Sequence, residues 1–317
     1  MGLLRGALIG ATRAHQVVGL VETSAQSRRF NAAAGIPAPM FSSLEEALRH
    51  TPADTCFVCT PPAAHSSVAS AAFDAGLDCF IEKPLTTDPD LSEALARKAG
   101  ERGRRGVVGY TRRFAPTLRR LRAETLEAGG ARSVSASLAS PQFVGRAQLG
   151  AARGGVEWDL LVHAADAALF LGGSGPGEAR VVRRRGVEAV AVEGRFGELE
   201  VRLEADWACA DVRKVEMRCE VTTLEGVKLA CDEDRVWRAA PDRSREVVFH
   251  RRDAPPPWFD VAGGEFSDEV RDLLDCFATG QAAGGTSLEE AAVVDRFVVA
   301  VMHAHSETWE DRPWASP

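Results

Sequence analysis

No run of about 18 apolar residues occurs in this chain, which excludes the uninterrupted helix needed to span a bilayer. The N-terminus also lacks the basic start, apolar stretch and small-residue cleavage site of a secretory leader. Positive charge is not in surplus. Lys and Arg number 38 against 45 Asp and Glu, a formal net charge of −7. Nonspecific nucleic-acid binding rests on neutralising phosphates with excess Lys and Arg, so no nucleic-acid partner is expected. The basic clusters that do occur, around Arg102–Arg105, Arg119–Arg122 and Arg183–Arg185, lie between apolar segments and read as solvated faces. Cysteine is sparse and odd in number: Cys56, Cys59, Cys79, Cys209, Cys219, Cys231 and Cys276. Most sit in apolar runs, which fits reduced thiols in a cytoplasm rather than a disulfide framework. Cys56 and Cys59 have the spacing of a metal or redox pair. They fall, however, in an apolar run read as a buried strand, where residues three apart face opposite sides. No metal site is therefore expected.

What is present is ordinary for a globular protein: 317 residues, 45% hydrophobic and 26% charged. That length suggests two domains. Residues 1–112 alternate short β-rich runs with helical patterns. Strands are expected at Gln16–Glu22, Thr55–Cys59, Asp78–Ile81 and Gly106–Gly109. Helices are expected at Ser24–Ala34, Leu44–Arg49, His65–Ala75 and Asp90–Arg102. Such alternation predicts a parallel sheet with helices on both faces. Over 113–317 the pattern changes. Helices at Phe114–Ala128 and Trp158–Leu171 precede a series of period-2 runs between Ala179 and Ala239. Strands without intervening helices indicate an antiparallel sheet. Two closing helices, Phe266–Ala278 and Leu288–Ser306, are expected, the last packing back on the first domain.

Open parallel sheets bind ligands at the carboxyl ends of their strands. Three motifs fall there. Thr60-Pro61-Pro62-Ala63-Ala64-His65 follows one strand, Glu82-Lys83-Pro84-Leu85 the next, and Tyr110-Thr111-Arg112-Arg113-Phe114 the third. Any one alone reads as turn chemistry; three on successive strand ends read as a crevice. A fourth feature is the run from Gly154-Gly155 through Trp158 and Asp159 to His163 and Asp166. Asp159 and His163 are four apart on a predicted helix and share a face. A carboxylate so placed orients an imidazole for acid–base work. Alone, the pair also reads as a plain helix surface.

Taken together, in this order and spacing, these four motifs resemble the glucose–fructose oxidoreductase / inositol dehydrogenase (Gfo/Idh/MocA) family, over nearly the whole chain. The resemblance implies a Rossmann-like domain plus an α+β domain with a large, mainly antiparallel open sheet. It implies hydride transfer between NAD and a sugar, cyclitol or related small molecule, and association as a homodimer or homotetramer through the open sheet. Lys83, Asp159 and His163 would be catalytic. Gly2, Glu22, Thr60, Pro61, His65, Glu82 and Arg113 would meet the cofactor, with Glu22 on the adenosine ribose. Tyr110, Trp158 and Asp166 would meet the substrate.

The chain departs from that pattern at its start. A dinucleotide fold needs a strand, a G-x-G-x-x-G turn and a helix before the ribose-binding acid. Only fifteen residues precede Gln16. Leu3–Gly10 read as the first strand leaves too few residues for a parallel crossover. Leu3–Ala14 read as the helix, with Gly2 as the last glycine, fits better by length and puts Leu4, Leu8 and Ala11 on one face. Neither reading completes the phosphate turn, so this chain is expected to hold NAD weakly or not at all. Leu161 also stands where the family often has glycine. Two other readings follow: a relative without a dinucleotide that uses Lys83, Asp159 and His163 for elimination, isomerisation or cyclisation, and a non-catalytic binding protein. The second gives no reason to keep those three residues.

Overall fold

The computed structural model describes residues 1–12, 14–28, 38–141, 154–209, 212–239, 244–253, 265–280 and 284–308. In chain order its early elements are α1 (Gly2–Ala11), β1 (Leu20–Val21), β2 (Met40–Phe41), α2 (Leu44–His50), β3 (Thr55–Val58), α3 (His65–Asp74), β4 (Asp78–Ile81), α4 (Pro89–Glu101) and β5 (Gly106–Val108). There follow α5 (Pro116–Glu127), β6 (Ala131–Ala139), a π turn at Glu157–Leu161 and α6 (Val162–Gly172). Strands β7 (Gly177–Arg185), β8 (Ala189–Phe196), β9 (Leu199–Asp206), β10 (Glu216–Thr223), β11 (Lys228–Cys231), β12 (Arg235–Ala239) and β13 (Arg245–His250) come next. The chain closes with α7 (Glu265–Thr279), β14 (Thr286–Ser287), α8 (Leu288–His303) and β15 (Ser306–Thr308).

These elements make two compact units: Met1–Phe114 with Pro257–Ala292, and Ala115–Pro256 with Val293–Pro317. A single cut after residue 112 thus does not describe the chain, because α7 and the first turn of α8 belong to the first unit. In that unit β3, β4 and β5 are parallel neighbours, and β14 pairs antiparallel with β5. All four residues of β4 are buried, as a parallel strand covered on both faces requires. Local signals place the helices. The Ser43 hydroxyl accepts from the Glu46 amide at 3.1 Å, and Asp88 caps α4 ahead of Pro89. The N-terminal segment is a helix, with Leu8 and Ile9 packed on Val270 and Leu274 of α7.

The strand expected over Gln16–Glu22 shrinks to Leu20–Val21. Only these two residues find ladder partners, Met40 and Phe41, while Val17 packs into the α1–α7 cluster instead. The helix expected over Ser24–Ala34 is helical at 25–28, and the rest, from 29 on, lies outside the described residues. In the second unit, one sheet runs in the order β13-β12-β11-β10-β6-β9-β8-β7-β15. Its ladders are antiparallel except β6–β9 and β7–β15. Helix α6 packs against β6 and β9. Strands β13 and β15 escaped the sequence pattern: β13 is largely exposed and rich in charge, and β15 has three residues.

Candidate functional site

The register of the first unit fixes where its motifs emerge. Val58 lies opposite Ile81, and Ile81 opposite Val108. The strands are parallel, so the segments beginning at Cys59, Glu82 and Gly109 leave from one sheet edge. Thr60, Lys83 and Tyr110 therefore start their loops side by side, as expected from sequence. The Glu82 amide continues the ladder, donating to the Val58 carbonyl at 2.9 Å.

Several expected cofactor residues have other partners. His65 is fully buried and ties two loops together. Its Nε2 lies 2.8 Å from the Thr60 carbonyl and its Nδ1 2.9 Å from the Pro84 carbonyl. Both ring nitrogens thus face backbone carbonyls, and His65 staples the two loops together. Pro61 opens the short 3-10 turn Pro62–Ala64. Arg113 is 3% exposed and paired with Glu290 at the start of α8, 3.0 Å away, so its charge is already answered within the fold. Tyr110 has no exposed surface in the fold. Glu82 is bound by Arg5 of α1, Nε to Oε1 at 3.1 Å. Glu22 follows β1 directly, its amide donating to the Phe41 carbonyl and its carboxylate accepting from the Ser24 amide at 2.9 Å.

In the second unit, Gly154 and Gly155 have φ of 82° and 91°, a region that side chains strain to enter. A Cβ on Gly154 would also stand 2.7 Å from Trp158 Cδ1. The two glycines let the chain turn tightly into the helix that carries Trp158, Asp159 and His163. That helix opens as a π turn, a widened geometry that tends to mark functional sites. The shared-face argument assumed α spacing throughout; the π turn shifts Asp159 around the axis relative to His163. The Asp159 carboxylate accepts a hydrogen bond from the Trp207 indole at 3.0 Å. Trp158 is 4% exposed and Asp166 1%, so both are buried in the fold. Asp159 and His163 are half-buried.

Three residues, one in the second unit and two in the first, were missed in the sequence. Trp207 fell at the end of an expected strand, and Arg5 and Glu269 fell inside the expected helices Leu3–Ala14 and Phe266–Ala278, none of them singled out. For Arg5 a signal existed: it stands three and four residues before Leu8 and Ile9, on the helix face that packs against α7. Glu269, 1% exposed on α7, is paired with Arg5 and accepts from the Thr111 hydroxyl at 3.1 Å. Burial pushes its carboxyl up to about 7; Arg5 opposes the shift and Glu82 adds to it. Burial likewise pushes the Cys56 thiol up to about 11 and the Cys59 thiol to about 12, the Glu82 carboxylate adding to the second. Neither is a ready thiolate. Among the described residues no cluster of His, Cys, Asp or Glu suits a metal ion, and no helix is long and apolar enough to cross a membrane.

For a dinucleotide, the residues present fit two of its parts. The N-terminus of α1 carries no side-chain cap, leaving its amides available for an anion. Gly2 there stands close over the end of β3, its would-be Cβ 3.6 Å from Cys59 Cβ. Glu22 offers a carboxylate at a strand end, as a ribose contact requires.

This fold and these loops define a dinucleotide-type α/β protein with an added sheet domain. A family described as oxidoreductases with an NAD-binding Rossmann fold matches residues 4–110. UDP-N-acetylglucosamine 3-dehydrogenase of Acidithiobacillus ferrooxidans is 31% identical over 175 residues, covering 55% of this chain and 52% of that protein. The chain thus spans about half the length of that curated relative in the sequence match. Inositol 2-dehydrogenase of Paracoccus denitrificans is 26% identical over 282 residues, covering 86% and 81%. The solved structure of the Acidithiobacillus enzyme superposes with a TM-score of 0.76 at 22% identity, covering 95% of this chain and 92% of that one. Over residues 4–110 the chain is similar to the Gfo/Idh/MocA oxidoreductase family.

Proposed function

We propose that this protein is an NAD-dependent oxidoreductase of a sugar, a sugar nucleotide or a cyclitol. The observation that carries this reading is the in-register departure of three loops, bearing Thr60, Lys83 and Tyr110, from one edge of a parallel sheet. The names of its relatives point to polyhydroxylated substrates. The α1 N-terminus at Gly2 would hold a phosphate and Glu22 the ribose. When bound, NAD supplies the hydride acceptor. On the protein side, the Lys83 ammonium grips and polarises the substrate oxygen, and His163 takes the hydroxyl proton as the carbinol becomes a carbonyl. Asp159, oriented by Trp207, supports the imidazole electrostatically. The open sheet of the second unit supports self-association as a dimer or tetramer.

The test is NAD reduction with myo-inositol and with UDP-N-acetylglucosamine, alongside calorimetry with NAD(H). Proton transfer by a positioned group contributes about 10²–10⁴-fold. Loss of turnover on that scale in His163→Ala, and of turnover and substrate binding together in Lys83→Ala, is expected. Unchanged turnover in His163→Ala would remove the assignment. A second reading, acid–base chemistry without the dinucleotide, draws on the gap in the first unit's described sheet, where no ladder joins β1 to β3. Micromolar NAD(H) binding by residues 1–317 would sink it.

A further inference from the structure

The residue just before Lys83 is held by an unusual arrangement. Glu82 is anchored through its backbone by the ladder to Val58 and through its side chain by Arg5. Arg5 is itself 1% exposed. Its guanidinium lies 4.6 Å from the Phe80 ring centroid and 5.1 Å from that of Phe266, with its fork reaching on to Glu269. Glu269 accepts from Thr111, in the turn after β5. One buried guanidinium therefore bridges two carboxylates and ties α1, α7 and the loops after β4 and β5 to one point. On the far side of Lys83, the Pro84 and Leu85 carbonyls face His65 Nδ1 at 2.9 and 3.2 Å.

We propose that Arg5 and Glu269 are positioning residues for Lys83, a relay in which the charge on Glu269 sets how Arg5 holds Glu82 and hence the Lys83 loop. The inference rests on the role given to Lys83 above. Its physical basis is charge counting. With both carboxylates ionised, the buried triad carries one uncompensated negative charge, and uncompensated buried charge is costly. Adding a proton makes the triad neutral. Glu269 is the more buried acid, with 1% of its side chain exposed against 13% for Glu82, so the proton belongs there. Its ionisation, pushed up to about 7 by burial, falls where a modest pH change switches it. The groups facing it are Arg5 from α1, Glu82 from the loop after β4 and Thr111 from the turn after β5. On its own helix, Glu265 is paired with Arg112 at 3.6 Å. Neutral, Glu269 leaves Arg5 to Glu82 alone; ionised, it competes for the same guanidinium.

The chain has four lysines, Lys83, Lys98, Lys214 and Lys228, few enough to follow singly. Reductive methylation with ¹³C-formaldehyde gives each a resolved NMR resonance, and Lys83→Arg identifies the one that matters. Without substrate or cofactor, the Lys83 resonance should shift in two steps with pH, one of them between about pH 6 and 8. Glu269→Gln should abolish that neutral step. Arg5→Lys should abolish it too, because an ammonium keeps the charge but not the fork. Lys98, bound to Asp74 and Ser70, should titrate alike in all three proteins. A single-step Lys83 curve in the parent protein overturns the relay. So does a neutral step that survives Arg5→Lys, which would mark a direct field from Glu269. If Arg5→Lys does not fold, Glu82→Gln breaks the same relay from its other end. The readout needs no turnover, so a protein inactive on every substrate but showing the two-step curve loses the proposed activity and keeps the relay. An active protein with a one-step curve does the reverse.

Discussion

The nine described strands of the second unit form one continuous ladder with strands of up to nine residues. The parallel strands of the first unit are two to four residues long and fall into two sheets that share no described hydrogen bond. Backbone pairing therefore specifies the second unit, whereas in the first it must be supplemented by side chains. The Arg5 network is one such supplement, clamping α1 and α7 to the ends of β4 and β5. A ladder distributes its energy over many equal rungs. A buried ion network concentrates it on one cation, and breaking one member leaves the others uncompensated. The two units should accordingly fail in different ways.

The largest effect tests that contrast directly. Arg5→Ala would leave Glu82 and Glu269 facing each other with no cation, a change that typically costs about 3–5 kcal/mol. Hydrogen exchange should show the loss in β4 and α7, with the ladder of β6, β9 and β8 still protected. Leu203→Ala is the mirror experiment. Leu203 is fully buried at the middle of β9, opposite Ala136 and Val192. The cavity should cost about 2–5 kcal/mol and lower protection across the second unit only. Exchange that rises equally in both units for either variant would show that the units do not respond separately.

How much of this was legible beforehand follows the same division. The strand at Asp78–Ile81 was readable to the residue, because a strand covered on both faces is a continuous apolar run between turn signals. The helix at Leu44 announced itself through Ser42 and Ser43, whereas Asp88, which caps the helix at Pro89, was not singled out and that helix was expected from Asp90. The three loop motifs were legible for a topological reason: parallel strands place their carboxyl ends together, whatever side chains follow. Partner choice was not legible. His65 in its Thr-Pro motif gives no hint that both ring nitrogens will be taken by backbone carbonyls. Arg113 meets Glu290, 177 residues away. The π turn at Glu157–Leu161 has no periodicity signature in five residues, so the Asp159–Trp207 contact could only emerge from the fold.

A smaller effect sharpens the contrast through pH. Glu269 ionises near 7 in the folded protein, against an ordinary value of 4.5. The folded state thus binds this proton more tightly than the unfolded chain does. The stability it contributes is fully present below about pH 4.5 and is lost as pH rises through about 7. Glu269→Gln imitates the protonated form at every pH. The stability difference between parent and variant, from urea unfolding at several pH values, should therefore shift against the parent between about pH 5 and 8. A difference that stays flat over that range would mean that Glu269 titrates normally and that its burial is relieved some other way.

The smallest expected effect lies in the second unit, at a hydrogen bond that ties its sheet to the proposed chemistry. Trp207→Phe keeps an aromatic ring at the end of β9 and removes only the indole N–H that Asp159 accepts. Asp159 is half-buried, so water can replace part of the lost bond, and the cost should be about 0.5–1.5 kcal/mol. If that bond serves only to hold the π turn, the loss appears in stability and turnover is unmoved. If it orients Asp159 toward its work on the imidazole, the maximal rate should fall by roughly tenfold at most, since about 1.4 kcal/mol is a factor of ten. Substrate affinity should stay nearly constant, because the change acts on a group that supports the proton acceptor rather than on one that grips the substrate. A rise in KM without a fall in kcat would instead place Asp159 in substrate binding, and the proposed roles of Asp159 and Lys83 would have to be redrawn.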